Sequence, residues 1–172
     1  MDLRPFIRDV PDFPQPGILF RDITPALGHP AAFAQILEAL EARVLATRAE
    51  AIVGIESRGF LFAAPLAARL GLPFVPVRKP GKLPAARLSV EYSLEYGESQ
   101  LDIHADAFAR PGMRAYIVDD VLATGGTALA AAKLVELAGG TVAGVGFVIV
   151  LEALGGRGRL AAYEIGHVIA YP

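Results

Sequence analysis

Residues 116–127 join an apolar strand pattern to two adjacent acidic residues and then to a small-residue loop that opens a helix. The two acids, Asp119 and Asp120, occupy consecutive positions of an extended chain, so their side chains point to opposite faces. Packing alone explains such a pair poorly, because at least one carboxylate must approach the core. Ribose hydroxyls would satisfy both carboxylates, and the segment therefore predicts a sugar site at the carboxyl end of a strand.

The loop that follows the acids, Ala123-Thr124-Gly125-Gly126-Thr127, has the composition of a phosphate cradle. Its glycines lack Cβ atoms, so successive backbone N–H groups are free to wrap an anion, while the threonines add hydroxyl donors. The dipole of the following helix also favours negative charge there. For Thr-Gly-Gly-Thr alone, the alternative is an ordinary strand–turn–helix with glycine for tightness and aspartate for capping. The segment is neither a Walker loop nor the Gly-x-Gly-x-x-Gly of dinucleotide-binding folds.

Two strand–helix–strand units along the chain favour an α/β fold. The first runs from Ala51–Ile55 to Leu72–Val77, and the second from Ala115–Val118 to Val142–Leu151, each with a helical pattern between its strands. Because parallel strands need such crossovers, we expect a mainly parallel central sheet flanked by helices. Further predicted elements are an amphipathic helix at Ala32–Ala46, a hairpin of Val90–Tyr96 with Leu101–Ile103, and a short edge strand within Leu160–Tyr171.

Composition excludes several classes of protein. The 172 residues are 53% hydrophobic, which is enough for a single domain with its own core. The absence of cysteine removes thiolate nucleophiles, iron–sulfur clusters and disulfides, and favours a cytoplasmic protein. A net charge of −2 provides no field for nucleic acid, and no apolar stretch is long enough for a membrane helix. The histidines, His29, His104 and His167, lack the spacing of metal ligands.

The twelve-residue segment resembles the 5-phosphoribosyl-1-pyrophosphate signature of type I phosphoribosyltransferases. Further motifs occur in an order similar to that of the adenine phosphoribosyltransferase family, across nearly the whole chain. They are Phe13-Pro14-Gln15-Pro16-Gly17, Phe20-Arg21-Asp22-Ile23-Thr24-Pro25, Glu56-Ser57-Arg58-Gly59-Phe60, Arg78-Lys79-Pro80-Gly81-Lys82-Leu83-Pro84 and Tyr92-Ser93-Leu94-Glu95-Tyr96-Gly97.

This resemblance implies an α/β fold of the type I phosphoribosyltransferase kind in a single domain, residues 1–172. An amino-terminal hood is expected over about residues 1–30 and a flexible flap over about residues 79–104. The implied reaction transfers the 5-phosphoribosyl group of phosphoribosyl pyrophosphate (PRPP) to adenine, giving AMP and pyrophosphate in purine salvage. The resemblance also implies Mg²⁺ bound mainly through PRPP and a cytoplasmic homodimer, with neither nucleic acid nor membrane as partner.

The same resemblance assigns site residues. Pyrophosphate leaves with negative charge, so donors and cations that stabilise it should dominate catalysis. Glu95 is expected to reach N7 of the purine as an acid, and the segment Glu56–Arg58 is expected to have unusual peptide geometry. The expected catalytic residues are Arg58, Glu95, Asp119 and Asp120; the other expected substrate contacts are Leu19, Arg21, Ser57, Lys79, Lys82, Tyr96, Ala123, Thr124, Gly125, Gly126, Thr127 and Leu151.

Alternatives remain for several of these residues and for the reaction. Lys79 and Lys82 also fit a solvated charge run, Glu95 an exposed strand residue and Tyr96 a packing residue. Transfer to hypoxanthine, guanine or xanthine is the nearest rival reaction, since no residue of the sequence separates 6-amino from 6-oxo purines. A noncatalytic regulator of the same fold is the rival from another class, although the chain has no basic tail.

Overall fold

The structure, a computed structural model, describes residues 1–94 and 97–172, and its strands and helices alternate as the sequence predicts. Two short 3₁₀ turns also occur, at Arg4–Phe6 and Glu152–Leu154. The helices are α1 (Thr24–Leu27), α2 (Pro30–Thr47), α3 (Phe60–Leu70), α4 (Gly126–Leu137) and α5 (Gly156–Arg159). The strands are β1 (Arg8–Pro11), β2 (Leu19–Asp22), β3 (Ala51–Ile55), β4 (Phe74–Val77), β5 (Arg87–Leu94), β6 (Gly97–His104), β7 (Arg114–Leu122), β8 (Thr141–Leu151) and β9 (Ile165–Tyr171).

Five of these strands form a parallel sheet in the order β4-β3-β7-β8-β9. From β3 the chain passes through α3 to β4 on one side, and then returns to β7 on the other side of β3. Connections therefore diverge from neighbouring strands β3 and β7, which leaves a crevice beyond their carboxyl ends. In open parallel sheets such a switch point is where ligands bind.

Alternation along the strands builds a separate core on each face of the sheet. Ile52 and Tyr116 face the layer of α2 and α3, whereas Val53 and Ile117 face α4. Each strand in the middle of the sheet is thus apolar on both faces, as the continuous apolar runs predict. The register pairs residues 51–54 of β3 with residues 115–118 of β7, and it sets the relative positions of the loops that follow the two strands.

Two antiparallel ribbons lie outside this sheet. Strands β5 and β6 form the hairpin that the alternating sequence predicts, and they pack on α4. A bridge between Arg78 and Asp102 joins the hairpin to the end of β4. The other ribbon, β1 with β2, was not anticipated from the sequence, because its strands have only four residues each, exposed or half-buried, and show no clear alternation.

The other predicted elements agree with the structure. The amphipathic helix is α2, and the carboxyl-terminal edge strand is β9. Strand β7 is longer than predicted, so Asp119 and Asp120 lie within the strand, near its carboxyl end, rather than beyond it. Within the described residues, no helix is both long and apolar enough to cross a membrane.

Candidate active site

A cleft of about 900 Å³ lies at the switch point, beyond the carboxyl ends of β3 and β7. Strand β2, the hairpin and the end of β8 complete its walls. Lys82 is exposed and does not line this cleft, and Glu95 and Tyr96 fall outside the described residues. The cleft brings together all the other predicted site residues: Leu19, Arg21, Ser57, Arg58, Lys79, Asp119, Asp120, Ala123, Thr124, Gly125, Gly126, Thr127 and Leu151.

The phosphate loop, defined as residues Ala123–Thr127, curves into the amino terminus of α4. Gly125 has φ +82°, a left-handed conformation that glycine adopts without the penalty a side chain brings. No side chain of the described residues caps this end of α4, and the first turn carries no acidic residue. The first amides of the helix are therefore left for an outside acceptor, and the helix dipole adds positive potential.

A short segment behind the phosphate loop supports its shape. A Cβ placed on Gly156, at the start of α5, would lie 2.2 Å from the carbonyl oxygen of Ala123 and 2.8 Å from a methyl carbon of Leu122. A Cβ on Gly125 would in turn lie 2.8 Å from the carbonyl oxygen of Gly156. The two backbones pack directly on each other, and this contact between distant segments was not predicted from the sequence.

The carboxylate pair sits beside the loop. Asp119 is half-buried, and its Oδ1 accepts a hydrogen bond of 2.9 Å from the backbone N–H of Asp120. Burial raises the pKa of the Asp119 carboxyl well above its usual value, and the negative charge of Asp120 raises it further. A ligand that donates hydrogen bonds here, such as a sugar diol, would relieve this cost.

Arg58 faces the same carboxylates from the loop after β3. Its Nε lies 2.5 Å from Oδ2 of Asp120, which is buried, and this oxygen has no aligned hydrogen-bond donor among the described residues. The guanidinium lies 5.2 Å from the ring centroid of Phe20 on β2. Close approach depends on Gly59, where a Cβ would meet the carbonyl oxygen of Ile55 at 2.6 Å and Oδ1 of Asp119 at 2.9 Å.

The segment that holds Arg58 has the unusual geometry that was expected. The peptide bond between Glu56 and Ser57 is cis. Ser57 and Arg58 are exposed at the cleft, while Gly59 is buried beneath them.

Glu56 organises the cations beyond β4, a role that sequence analysis missed. Its carboxylate accepts hydrogen bonds from Arg78 Nε at 3.2 Å, Arg78 Nη2 at 3.3 Å and the Lys79 N–H at 2.9 Å. Arg78 Nη1 donates to the carbonyl of Lys82 at 3.2 Å. Burial alone would raise the pKa of Glu56, but the bonds from Lys79 and Arg78 outweigh it and hold that pKa below its usual value. Neither Glu56 nor the Arg78-Lys79 pair carries a sequence signal for this long-range contact.

The opposite end of the cleft is more apolar. Leu19 is 46% exposed, and Leu151 at the end of β8 is half-buried. Arg21 lines the cleft but is held in place by an ion pair with Asp9 and by the Tyr171 ring, whose centroid lies 4.0 Å from its guanidinium carbon. This end can accept a flat ring, with Arg21 at a fixed position along its edge.

Comparison with known proteins agrees with this geometry. Residues 26–166 match the phosphoribosyl transferase domain family. An adenine phosphoribosyltransferase of Gloeobacter violaceus is 59% identical over 160 residues, which cover 93% of each chain.

Solved structures of such enzymes also superpose on the chain. The crystal structure of adenine phosphoribosyltransferase from Thermoanaerobacter pseudethanolicus is 51% identical, with a TM-score of 0.95 over 98% of each chain. The enzyme from Saccharomyces cerevisiae, solved with adenine and D-2,5-dideoxy-2,5-imino-altritol 1,6-bisphosphate, is 38% identical, with a TM-score of 0.92 over 97% of this chain and 96% of that one. The chain belongs to the phosphoribosyltransferase family and, within it, to the adenine phosphoribosyltransferases.

Proposed function

We propose that this chain transfers the 5-phosphoribosyl group of PRPP to adenine, with AMP and pyrophosphate as products, as a step of purine salvage. One observation carries the proposal: the switch-point cleft combines an uncapped, glycine-rich helix start with a half-buried and a buried carboxylate and an arginine. These are the groups needed for a 5-phosphate, a ribose and a departing pyrophosphate. Two enzymes named adenine phosphoribosyltransferase are 59% and 53% identical to the chain over nearly its full length, which supports the same reaction.

The phosphate loop would hold the 5-phosphate by main-chain amides, among them that of Thr127, and by the hydroxyl of Thr124. Asp119 and Asp120 would accept hydrogen bonds from the ribose hydroxyls. Their negative charge would also favour the positive charge that develops at the anomeric carbon as its bond to pyrophosphate breaks. The anion-binding loop and the carboxylate pair are neighbours on β7 and its turn, so one strand end positions both halves of the phosphoribosyl group.

Stabilisation of the leaving group falls to the loops after β3 and β4. Ser57, Arg58 and Lys79 line the cleft there, and Arg58 offers a guanidinium that matches phosphate oxygens in pairs. Glu56 holds the backbone of Lys79, and Arg78, which Glu56 also binds, holds the backbone of Lys82. We include Lys82 in this group, although reaching the cleft requires a change in its side chain or loop.

The purine would lie between Leu19 and Leu151, with Arg21 at its edge. The resemblance assigns Glu95 to N7 of the base, where a carboxyl group would act as an acid while N9 attacks the anomeric carbon. Tyr96 would close over the site. Replacement of Glu95 by Gln is expected to lower kcat more than it raises KM for adenine.

Magnesium bound mainly through PRPP fits the residues present. Asp120 is already paired with Arg58, whereas burial and the charge of Asp120 disfavour the negative charge of Asp119, so Asp119 suits a nearby cation. The described residues contain no cluster of three acidic or histidine side chains that would enclose a metal by themselves. When bound, the ion would neutralise pyrophosphate oxygens, with Asp119 and Asp120 holding it directly or through water.

The resemblance further leads us to propose a homodimer in the cytoplasm, with neither nucleic acid nor membrane as partner. Light scattering on the purified protein tests the dimer, for which the expected mass is twice that of the 18.1 kDa chain.

Steady-state assays with PRPP and adenine, hypoxanthine, guanine or xanthine test the reaction. We expect pyrophosphate release with adenine and a kcat/KM for adenine at least about 100-fold above that for each 6-oxo purine. Preference for a 6-oxo purine would overturn the choice of substrate. Tight binding of PRPP without release of pyrophosphate would indicate a noncatalytic regulator instead.

A further inference from the structure

We propose that Tyr92 is a further ligand of the 5-phosphate and closes the phosphate loop from the side of the hairpin. This inference rests on the proposed function, because it concerns the same bound phosphoribosyl group. Tyr92 would recognise a phosphomonoester, as in PRPP and AMP, and not the pyrophosphate that leaves.

The position of Tyr92 supports this role. Tyr92 lies on β5, which packs against α4, and it lines the cleft together with the phosphate loop. The Oγ1 of Thr127 lies 3.4 Å from the Tyr92 hydroxyl oxygen. Tyr92 is thus the point at which the hairpin meets the loop that binds the phosphate.

Tyr92 packs against the core while its hydroxyl reaches Thr127 in the phosphate loop. The side chain is half-buried and packs, with Leu88 and Val90, against the core on the α4 face of the sheet. A tyrosine held by its ring has few conformations left, so its hydroxyl is pre-positioned at low entropic cost.

Proton counting indicates what the two hydroxyls lack. Each hydroxyl has one proton and two lone pairs. Thr127 donates to Tyr92, so the Tyr92 proton remains for a third group, and if the direction were reversed the Thr127 proton would remain instead. Phosphate oxygens accept hydrogen bonds only, and the uncapped amides of α4 lie on the same wall. The remaining proton of the hydroxyl pair therefore suits an anionic acceptor at the phosphate loop.

A phosphate held from both sides would join the hairpin to the loop. Tyr92 lies near the carboxyl end of β5 and precedes Glu95 by three residues in the sequence. Binding of the donor would thereby hold the carboxyl-terminal part of β5 against the phosphate loop before the base is attacked.

The test compares Tyr92→Phe with Tyr163→Phe. The second variant is a matched control, because Tyr163 also donates its hydroxyl to a partner, Glu136 at 3.0 Å, but does not line the cleft. Calorimetry measures the affinity for AMP, kinetics the KM for PRPP and adenine and inhibition by pyrophosphate, and thermal unfolding the stability. For Tyr92→Phe we expect AMP binding about tenfold weaker and KM for PRPP about tenfold higher, since a hydrogen bond to a charged group is lost. KM for adenine and inhibition by pyrophosphate should change by less than about twofold, and Tyr163→Phe should change none of these.

Three outcomes would overturn the inference. Unchanged AMP affinity in Tyr92→Phe would exclude contact with the phosphate. Equal weakening of AMP, adenine and pyrophosphate, together with a lower melting temperature, would show that Tyr92 acts only through packing. Wild-type protein that binds no AMP would overturn the proposed function as well, whereas wild-type binding matched by Tyr92→Phe overturns this inference alone.

Discussion

Arg58 on the loop after β3 and Asp120 within β7 form an ion pair across the two strands where the chain connections diverge. The arginine is 45% exposed and the carboxylate only 6% exposed, so the pair bridges the solvent-filled cleft and the core. The ion pair places Arg58, the candidate pyrophosphate-binding residue, against Asp120, the candidate ribose-binding residue. Its integrity should matter more for catalysis than for folding.

Replacement of Arg58 by Lys should lower kcat/KM for PRPP about 100-fold, because an ammonium keeps the charge but not the paired N–H geometry. Arg69→Lys is the matched control, since Arg69 pairs with Glu41 at 2.7 Å on the helical layer, outside the cleft. Steady-state kinetics measure both variants. Equal, small changes of kcat/KM in the two variants would show that Arg58 only takes part in an ordinary surface ion pair.

Replacement of Glu56 by Gln should raise KM for PRPP about tenfold while KM for adenine changes little, because charge-assisted bonds to Arg78 and to the Lys79 amide weaken. Glu41→Gln provides the control, since it breaks an ion pair away from the cleft. A parallel rise of both KM values would argue against the assigned role in the pyrophosphate end of the site.

Gly156→Ala should distort the phosphate loop and raise KM for PRPP, because the added methyl group would overlap the carbonyl oxygen of Ala123. Gly158 is the matched position, two residues further along, where a Cβ meets nothing within 4 Å. Gly158→Ala should therefore leave kinetics unchanged and stability the same or slightly higher. If Gly156→Ala retains the wild-type KM for PRPP, the loop does not depend on its backing segment.

Asp119→Asn should stabilise the ligand-free protein at neutral pH and weaken binding of PRPP. Since the folded-state pKa of Asp119 is raised, its protonated form stabilises the fold at low pH. That contribution is lost as pH rises from the unfolded value near 3.8 through the raised pKa.

Thermal unfolding of wild type and Asp119→Asn at a series of pH values checks this sign. The melting temperature of Asp119→Asn should rise relative to that of the wild type across this pH interval, and the difference should then become constant. We expect about 3 °C for each kcal/mol of repulsion removed. A wild-type protein that gains stability over the variant as pH rises would contradict the raised pKa.

Local patterns were enough to predict the parts of the fold that depend on short stretches of sequence. Strand β3 and residues 115–118 of β7 are continuous apolar runs, and the glycine-rich sequence after β7 predicts a tight turn and an anion site. The carboxylate pair was recognisable because Asp119 and Asp120 contradict the apolar pattern of their strand. Resemblance to a family added the expected roles of Leu19, Arg21 and Leu151, of which Leu151 would otherwise be assigned to the core.

Contacts between distant segments could not be predicted in the same way. Glu56 meets Arg78 only because β3 and β4 are neighbours, and Gly156 meets Ala123 only because α5 folds back behind the phosphate loop. In both cases the individual residues are common at surfaces and turns. Their partners follow from topology, which no short pattern encodes.

Affinity for AMP, measured by calorimetry beside affinity for adenosine, tests the central claim most directly. If the amides of Ala123–Thr127 grip a 5-phosphate, AMP should bind at least about 100-fold more tightly than adenosine, which lacks that group. Equal affinities for AMP and adenosine would contradict the account.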